Sequence, residues 1–122
     1  MTKKTYKLYY PYKSDKHEKK YFVIVEGERP DTYKKIYFGA SGYEHFTLTP
    51  DYKDLAHLDW KRRQRYEDRH RPTEDWGKGG VKSRGWWSYW YLWKYQTHQD
   101  AMIVIREKLK NWGFNVNASV SL

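Results

Sequence analysis

Seven of the ten residues in Trp86-Trp87-Ser88-Tyr89-Trp90-Tyr91-Leu92-Trp93-Lys94-Tyr95 are aromatic, and the chain has to fold around them. Each buried ring removes roughly 150–250 Å² from water, so this stretch alone anchors a small core. At helical spacing Trp86, Trp90 and Trp93 share a face, with Trp87 beside Trp90 and Tyr91. That is more ring than one stripe can bury. The surplus must meet a second element or remain as a contact surface. Gly85, just ahead, allows close backbone approach or a sharp entry.

A chain of 122 residues makes one domain with a real core. Its pattern divides into a basic segment over 1–20, a compact α+β domain over 21–113 and a C-terminal strand or tail over 114–122. The first segment carries seven lysines, and Tyr6, Leu8 and Tyr10 predict a short strand ended by Pro11. Tyr21 to Val25 is an almost continuous β-branched and aromatic run. Lys35 to Phe38 returns after the turn residues Gly27 to Asp31, which predicts a hairpin between residues 20 and 39.

Pro50-Asp51 predicts the start of a helix over about 52–70, with Asp51 as N-cap and Leu55 and Leu58 on its apolar side. Ser83 caps a tryptophan-rich helix over roughly 84–95. Thr97 and Asp100 have the spacing of a capping box, with Asp where Glu or Gln is usual. Ala101, Met102, Ile105 and Leu109 form the apolar side of a further helix ended by Gly113. Phe114, Val116, Ala118, Val120 and Leu122 then alternate with polar residues, the period of a terminal strand added to the hairpin or offered as an edge. The expected architecture is a small antiparallel sheet packed against two or three helices. Its hub is Trp86, Trp90 and Trp93, surrounded by Phe22, Ile24, Ile36, Phe38, Leu55, Leu58, Ile105 and Leu109.

Lys and Arg number 24 against 15 acids, a net charge of +9. A domain this positive tends to meet polyanions. The absence of cysteine excludes disulfides, thiolate zinc sites, iron–sulfur clusters and cysteine nucleophiles. No stretch approaches the ~18–20 apolar residues that span a bilayer.

The basic candidates are Lys61, Arg62, Arg65, Arg69 and Arg71 on the predicted helix, followed by Lys82 and Arg84. Arg62, Arg65 and Arg69 form a row suited to phosphate, which guanidinium forks contact bidentately. Equally, these arginines pair with Asp59, Glu67, Asp68, Glu74 and Asp75, or stack on Trp60 and Trp76. The aromatic candidates for hub or interface are Trp60, Trp76, Trp86, Trp87, Trp90 and Trp93.

His17, His45, His57, His70 and His98 lack the two-His spacing of a zinc protease, so neither metal nor cofactor is expected. Glu44-His45 and Asp68-His70 are lone adjacencies without paired carboxylates, and no catalytic residue is assigned. Gly39-Ala40-Ser41-Gly42 follows a strand but lacks the spacing and Lys of a phosphate loop.

Taken in order, Phe38-Gly39, Tyr43, Phe46-Thr47, Arg62-Arg63-Gln64-Arg65-Tyr66-Glu67-Asp68-Arg69-His70 and Gly85-Trp86-Trp87-Ser88-Tyr89-Trp90-Tyr91-Leu92-Trp93 make a composite pattern. It resembles a family of small proteins of large DNA viruses and bacteriophages, with an Arg-rich helix followed by a Gly-(Phe/Trp)-Trp-Ser-x-Trp segment. The likeness covers roughly residues 34–110. Trp86 and Tyr89 stand where that family has Phe and Arg. The resemblance implies a virion location, with host cytoplasm or nucleus during assembly, and carries over no catalytic residues. The leading expectation is therefore a non-enzymatic viral structural protein, a minor capsid or capsid-associated component contacting other virion proteins. The alternative is a basic accessory protein binding DNA or RNA through the phosphate backbone, with an endonuclease as a distant third.

Overall fold

The computed structural model describes residues 3–122, and they form one compact α+β domain. Strands β1 (Thr5–Lys7), β2 (Tyr12–Lys13), β3 (Lys19–Glu26) and β4 (Tyr33–Ala40) come first. The hairpin expected between residues 20 and 39 is present, pairing Tyr21 with Phe38, Val23 with Ile36 and Val25 with Lys34. β3 is buried from Lys20 to Val25, as its unbroken apolar run demands, and β2 adds a third strand in the order β2-β3-β4.

The predicted strand through Tyr6, Leu8 and Tyr10 stops at Lys7. Leu8 and Tyr9 are consecutive and both buried. The chain turns there instead, with Tyr9 at φ 56°. The C-terminal alternation is realised only as β5 (Ser119–Ser121), because turns at 114–118 interrupt it. β5 does not join the hairpin; it pairs with β1 in a separate two-stranded ribbon, Tyr6 opposite Val120.

The predicted helix over 52–70 is shorter than expected, and Asp51 is not its cap. Lys53–Leu55 is one 3-10 turn, and helix α1 is Trp60–His70. Its cap is Asp59, whose carboxylate accepts from the Lys61 and Arg62 N–H groups. The backbone of residues 55–58 is engaged elsewhere: His57 N–H donates to the His45 carbonyl, Leu58 N–H to Phe46, and Leu55 accepts from His45. Those bonds exclude a helix. They also remove Leu55 and Leu58 from the expected core, with Leu58 40% exposed at φ 54°.

Helix α2 (Arg84–Trp87) starts at Ser83 as predicted, the hydroxyl accepting from Trp86 N–H at 3.3 Å. From Ser88 to Trp93 the helix widens to π geometry, and Lys94 N–H reaches the Tyr89 carbonyl five residues back. The predicted 3.6-residue period fails here because its stripe cannot accommodate so many rings. The centre of the core is accordingly Trp86, Trp87, Tyr91 and Leu92, while Trp90 and Trp93 pack at its margin.

Helix α3 (His98–Asn111) is capped by Thr97 and buries Ala101, Met102, Ile105 and Leu109, all as expected. Gly113, at φ 90°, closes it with Phe114 N–H donating to Leu109 and Gly113 N–H to Lys110, the paired bonds of a Schellman stop. Leu8 and Tyr9 from the N-terminal segment and Val116 from the tail complete the core. No helix of the described residues is long and apolar enough to cross a membrane.

Candidate functional site

The widened helix ends in carbonyls that the next turn does not satisfy, and the 46–48 loop docks on them. Phe46 N–H and Thr47 N–H both donate to the Leu92 carbonyl, at 3.1 and 2.9 Å. Leu48 N–H donates to Gln96 at 2.8 Å and the Thr47 hydroxyl to Tyr95 at 2.5 Å. From α1, the Arg63 guanidinium donates to Lys94 at 3.1 Å while pairing with the buried Glu67 carboxylate at 3.1 Å. The Phe-Thr loop, the Arg-rich helix and the Trp-rich segment are thus three parts of one joint.

That joint leaves a cleft of about 530 Å³ between the end of the hairpin, the 43–45 loop, α1 and the start of α2. Its cations are Lys19, Lys20, Arg62, Arg69 and Arg84, against the carboxylates of Glu44 and Glu74. Lys20 lies at the floor, 2% exposed. Its ammonium donates to His45 Nδ1 at 2.9 Å and to the Tyr43 carbonyl. Burial pushes Lys20 down to about 8 and, with the Lys20 charge, holds His45 neutral, down to about 3. The neighbouring Gly39, at φ 79°, matters sterically: a Cβ there would lie 2.9 Å from Leu92 Cδ1 and 3.3 Å from Lys20 Cβ.

Around the mouth, Arg62 pairs with Glu44 at 3.0 Å, whereas Arg69 and Arg84 form no ion pair among the described residues. Burial and the Arg69 charge lower the His70 pKa, so that imidazole stays neutral near pH 7. Tyr66 donates its hydroxyl to Ser88 Oγ at 3.2 Å and stacks on Trp93 with ring centroids 4.3 Å apart, which fixes the wall of the cleft. Glu74 lies over Gly85 so closely that a Cβ there would sit 1.7 Å from its Oε2. The close approach expected at Gly85 is real, and a carboxylate occupies it.

Arg84 also lines a second groove of about 400 Å³, with Lys16, Lys34, Lys35 and Lys82. Arg84 therefore lines both depressions, which together make a basic track. Lys35 is partly neutralised by Asp15 at 3.6 Å, and Lys16 lies 4.3 Å from the Tyr37 ring centroid.

Of the sequence-predicted cations, the fold brings Arg62, Arg69 and Arg84 to the cleft and Lys82 to the adjoining groove. Lys61 and Arg65 are exposed outside both, so the predicted row is broken at its middle member. Arg71 is tied to Glu67 at 3.2 Å and lies 5.9 Å from the Trp76 ring centroid. Among the aromatic candidates, Trp86 and Trp87 are wholly buried, and Trp76 stacks on Tyr89 at 3.8 Å. Trp90 donates its indole N–H to the Trp76 carbonyl at 2.9 Å, and Trp60 is 54% exposed.

Sequence reasoning missed Lys19 and Lys20, and it named Glu74 only as an ion-pair partner for the arginines, not as the carboxylate over Gly85. The available signal for Lys20 was a lysine beginning an otherwise apolar strand, with Gly39 on the returning strand making room for its stem. Among the described residues, no three His, Asp or Glu side chains are positioned to hold a metal ion. No protein-family model, curated protein or solved structure matches the chain.

Proposed function

We propose that this protein is a basic accessory protein that binds nucleic acid through the phosphate backbone, along the track formed by the cleft and its adjoining groove. The observation that carries this reading is the convergence of Lys20, Arg62, Arg69 and Arg84 with too few carboxylates to neutralise them. The Arg62–Glu44 pair is solvent-exposed, worth only about 0–1 kcal/mol, and readily gives way to a charge-assisted bidentate contact with phosphate. Trp86 and Trp87 are committed to the core, which leaves the basic surface as the better-supported binding feature.

Binding should weaken steeply with salt, because each neutralised phosphate releases counterions. The log–log slope changes by about 0.9 per contact on duplex DNA and about 0.7 on single strands. Substituting Arg62, Arg69 and Arg84 together by alanine should shrink the slope by about 2–3 if each contacts one phosphate. A slope equal to the wild type's would remove the cleft from the reading.

A second reading, a capsid-associated structural component of a virion, is favoured by the exposed Trp60 and Leu58, which flank Phe46 and offer an apolar contact to a protein neighbour. Stepwise disassembly of virus particles separates the two. Retention with the shell at constant ratio after genome release supports the structural role, and departure with the genome supports nucleic-acid binding.

A further inference from the structure

Lys20 is a buried cation without a buried anion. Its residue is 2% exposed, its two acceptors are a neutral imidazole and a backbone carbonyl, and it forms no ion pair among the described residues. A charge taken out of water is tolerated when it is paired, and here the protein supplies no partner. An ammonium has three donors, and two are used within the protein.

The floor around it is core, with His45, Phe38 and Leu92 all buried, so a group that reaches the ammonium enters from solvent and stops there. At about 530 Å³ the cleft falls in the range of roughly 300–1,000 Å³ typical of sites that enclose a single small ligand. It does not have the dimensions of a duplex, whose major groove alone is about 12 Å wide. At the mouth stand Arg69 and Arg84 without counter-ions, and Tyr43, 71% exposed, offers its ring.

We propose that the cleft receives the terminal phosphate of a nucleic-acid strand, with Lys20 at its floor, Arg69 and Arg84 at its mouth and the Tyr43 ring stacking on the terminal base. This rests on the nucleic-acid reading above and names the part of the strand that enters the cleft. A terminal phosphomonoester carries about −1.5 to −2 charge at pH 7, whereas an internal diester carries a single charge; the surplus of cations over carboxylates suits the former. Arginine forks contact such a group bidentately, and aromatic rings stack on bases without regard to sequence. The adjoining groove, reached through Arg84, then carries the diester backbone that follows.

The test is fluorescence anisotropy with one short single strand in three forms: 5′-phosphorylated, 3′-phosphorylated and hydroxyl at both ends. At least one phosphorylated form should bind about tenfold tighter, the size of one added charge-assisted hydrogen bond. Lys20→Met should bring the ratio of phosphorylated to hydroxyl affinity close to one. Because that change alters a buried site, Arg69→Ala serves as a second variant at an exposed position and should reduce the same ratio. Lys34→Ala with Lys82→Ala should weaken all three strands alike.

Equal affinity for all three strands in the wild type overturns the terminal-phosphate inference and leaves phosphate-backbone binding standing. No affinity for any strand overturns the nucleic-acid reading. A nucleoside monophosphate that binds as tightly as the phosphorylated strand keeps the phosphate site but overturns the strand as its source.

Discussion

At the residue scale the floor of the cleft contains two basic groups, each held below its ordinary pKa. Burial and the Lys20 charge hold His45 down to about 3, while the unfolded chain takes up a proton near pH 6.5. Below pH 6.5 the unfolded state therefore binds a proton that the folded state refuses. The stability that neutral His45 contributes is complete above that pH and is lost as the pH falls toward 3. His57, His70 and His98, also lowered by burial, act in the same direction. Urea midpoints should fall between pH 6.5 and 4, and His45→Gln should make that fall shallower; parallel curves would remove His45 from the account. Lys20 acts with the same sign in a higher pH window. Its folded pKa is pushed down to about 8, so the ammonium opposes folding below that pH and the opposition fades as pH rises through 8 toward 10.5.

The element that organises the site is the α-to-π transition at Ser88, because it exposes the carbonyls on which the 46–48 loop and Arg63 dock. Its entry depends on Gly85. An added methyl there meets the Glu74 carboxylate, 1.7 Å from Oε2 and 2.3 Å from Cδ, the far end of a side chain rather than backbone. Gly85→Ala should therefore destabilise by about 1–2 kcal/mol, the usual range for overpacking a filled site. Combined with Glu74→Ala the loss should be smaller than the two single losses summed, because Glu74→Ala removes the group that the methyl added by Gly85→Ala clashes with. Strict additivity in thermal or urea unfolding would show that the carboxylate yields freely. The start of this element was legible: Ser83 caps it, and the tryptophan density marked it as the hub. Its π geometry was not, because hydrophobic spacing reports which residues are apolar and not how wide the turn must be to seat them.

On the scale of the whole molecule, the ends of the chain close the fold. Thr5 and Ser121 hydroxyls lie 3.1 Å apart, and Leu8 N–H donates to the Ala118 carbonyl at 3.0 Å. Ala118 and Val120 pack against the core from this ribbon. Deleting residues 118–122 should cost about 2 kcal/mol, the burial of one or two partly covered apolar side chains with the strand bonds that hold them. A lowered urea midpoint at unchanged slope is the expected result, and an unchanged midpoint would show that the ribbon adds nothing to stability. The net charge of +9 is likewise a whole-molecule property, and the fold gathers part of it into the track through Arg84.

The amino-acid sequence by itself determined the α+β class, the β3–β4 hairpin, the caps at Ser83 and Thr97, the buried face of α3 and its stop at Gly113. Each of these depends on residues within a few positions of one another, and propensity, periodicity and capping act over that range. Tertiary structure alone decided that Asp59 rather than Asp51 begins α1, since bonds to the 45–46 loop hold residues 55–58 out of a helix. It also decided that Lys20, Arg62, Arg69 and Arg84 meet in one cleft while Lys61 and Arg65 do not. A charged residue's local sequence does not say which distant residue it will face, and a lysine at the start of a strand becomes a buried cation only when a loop and a helix close over it.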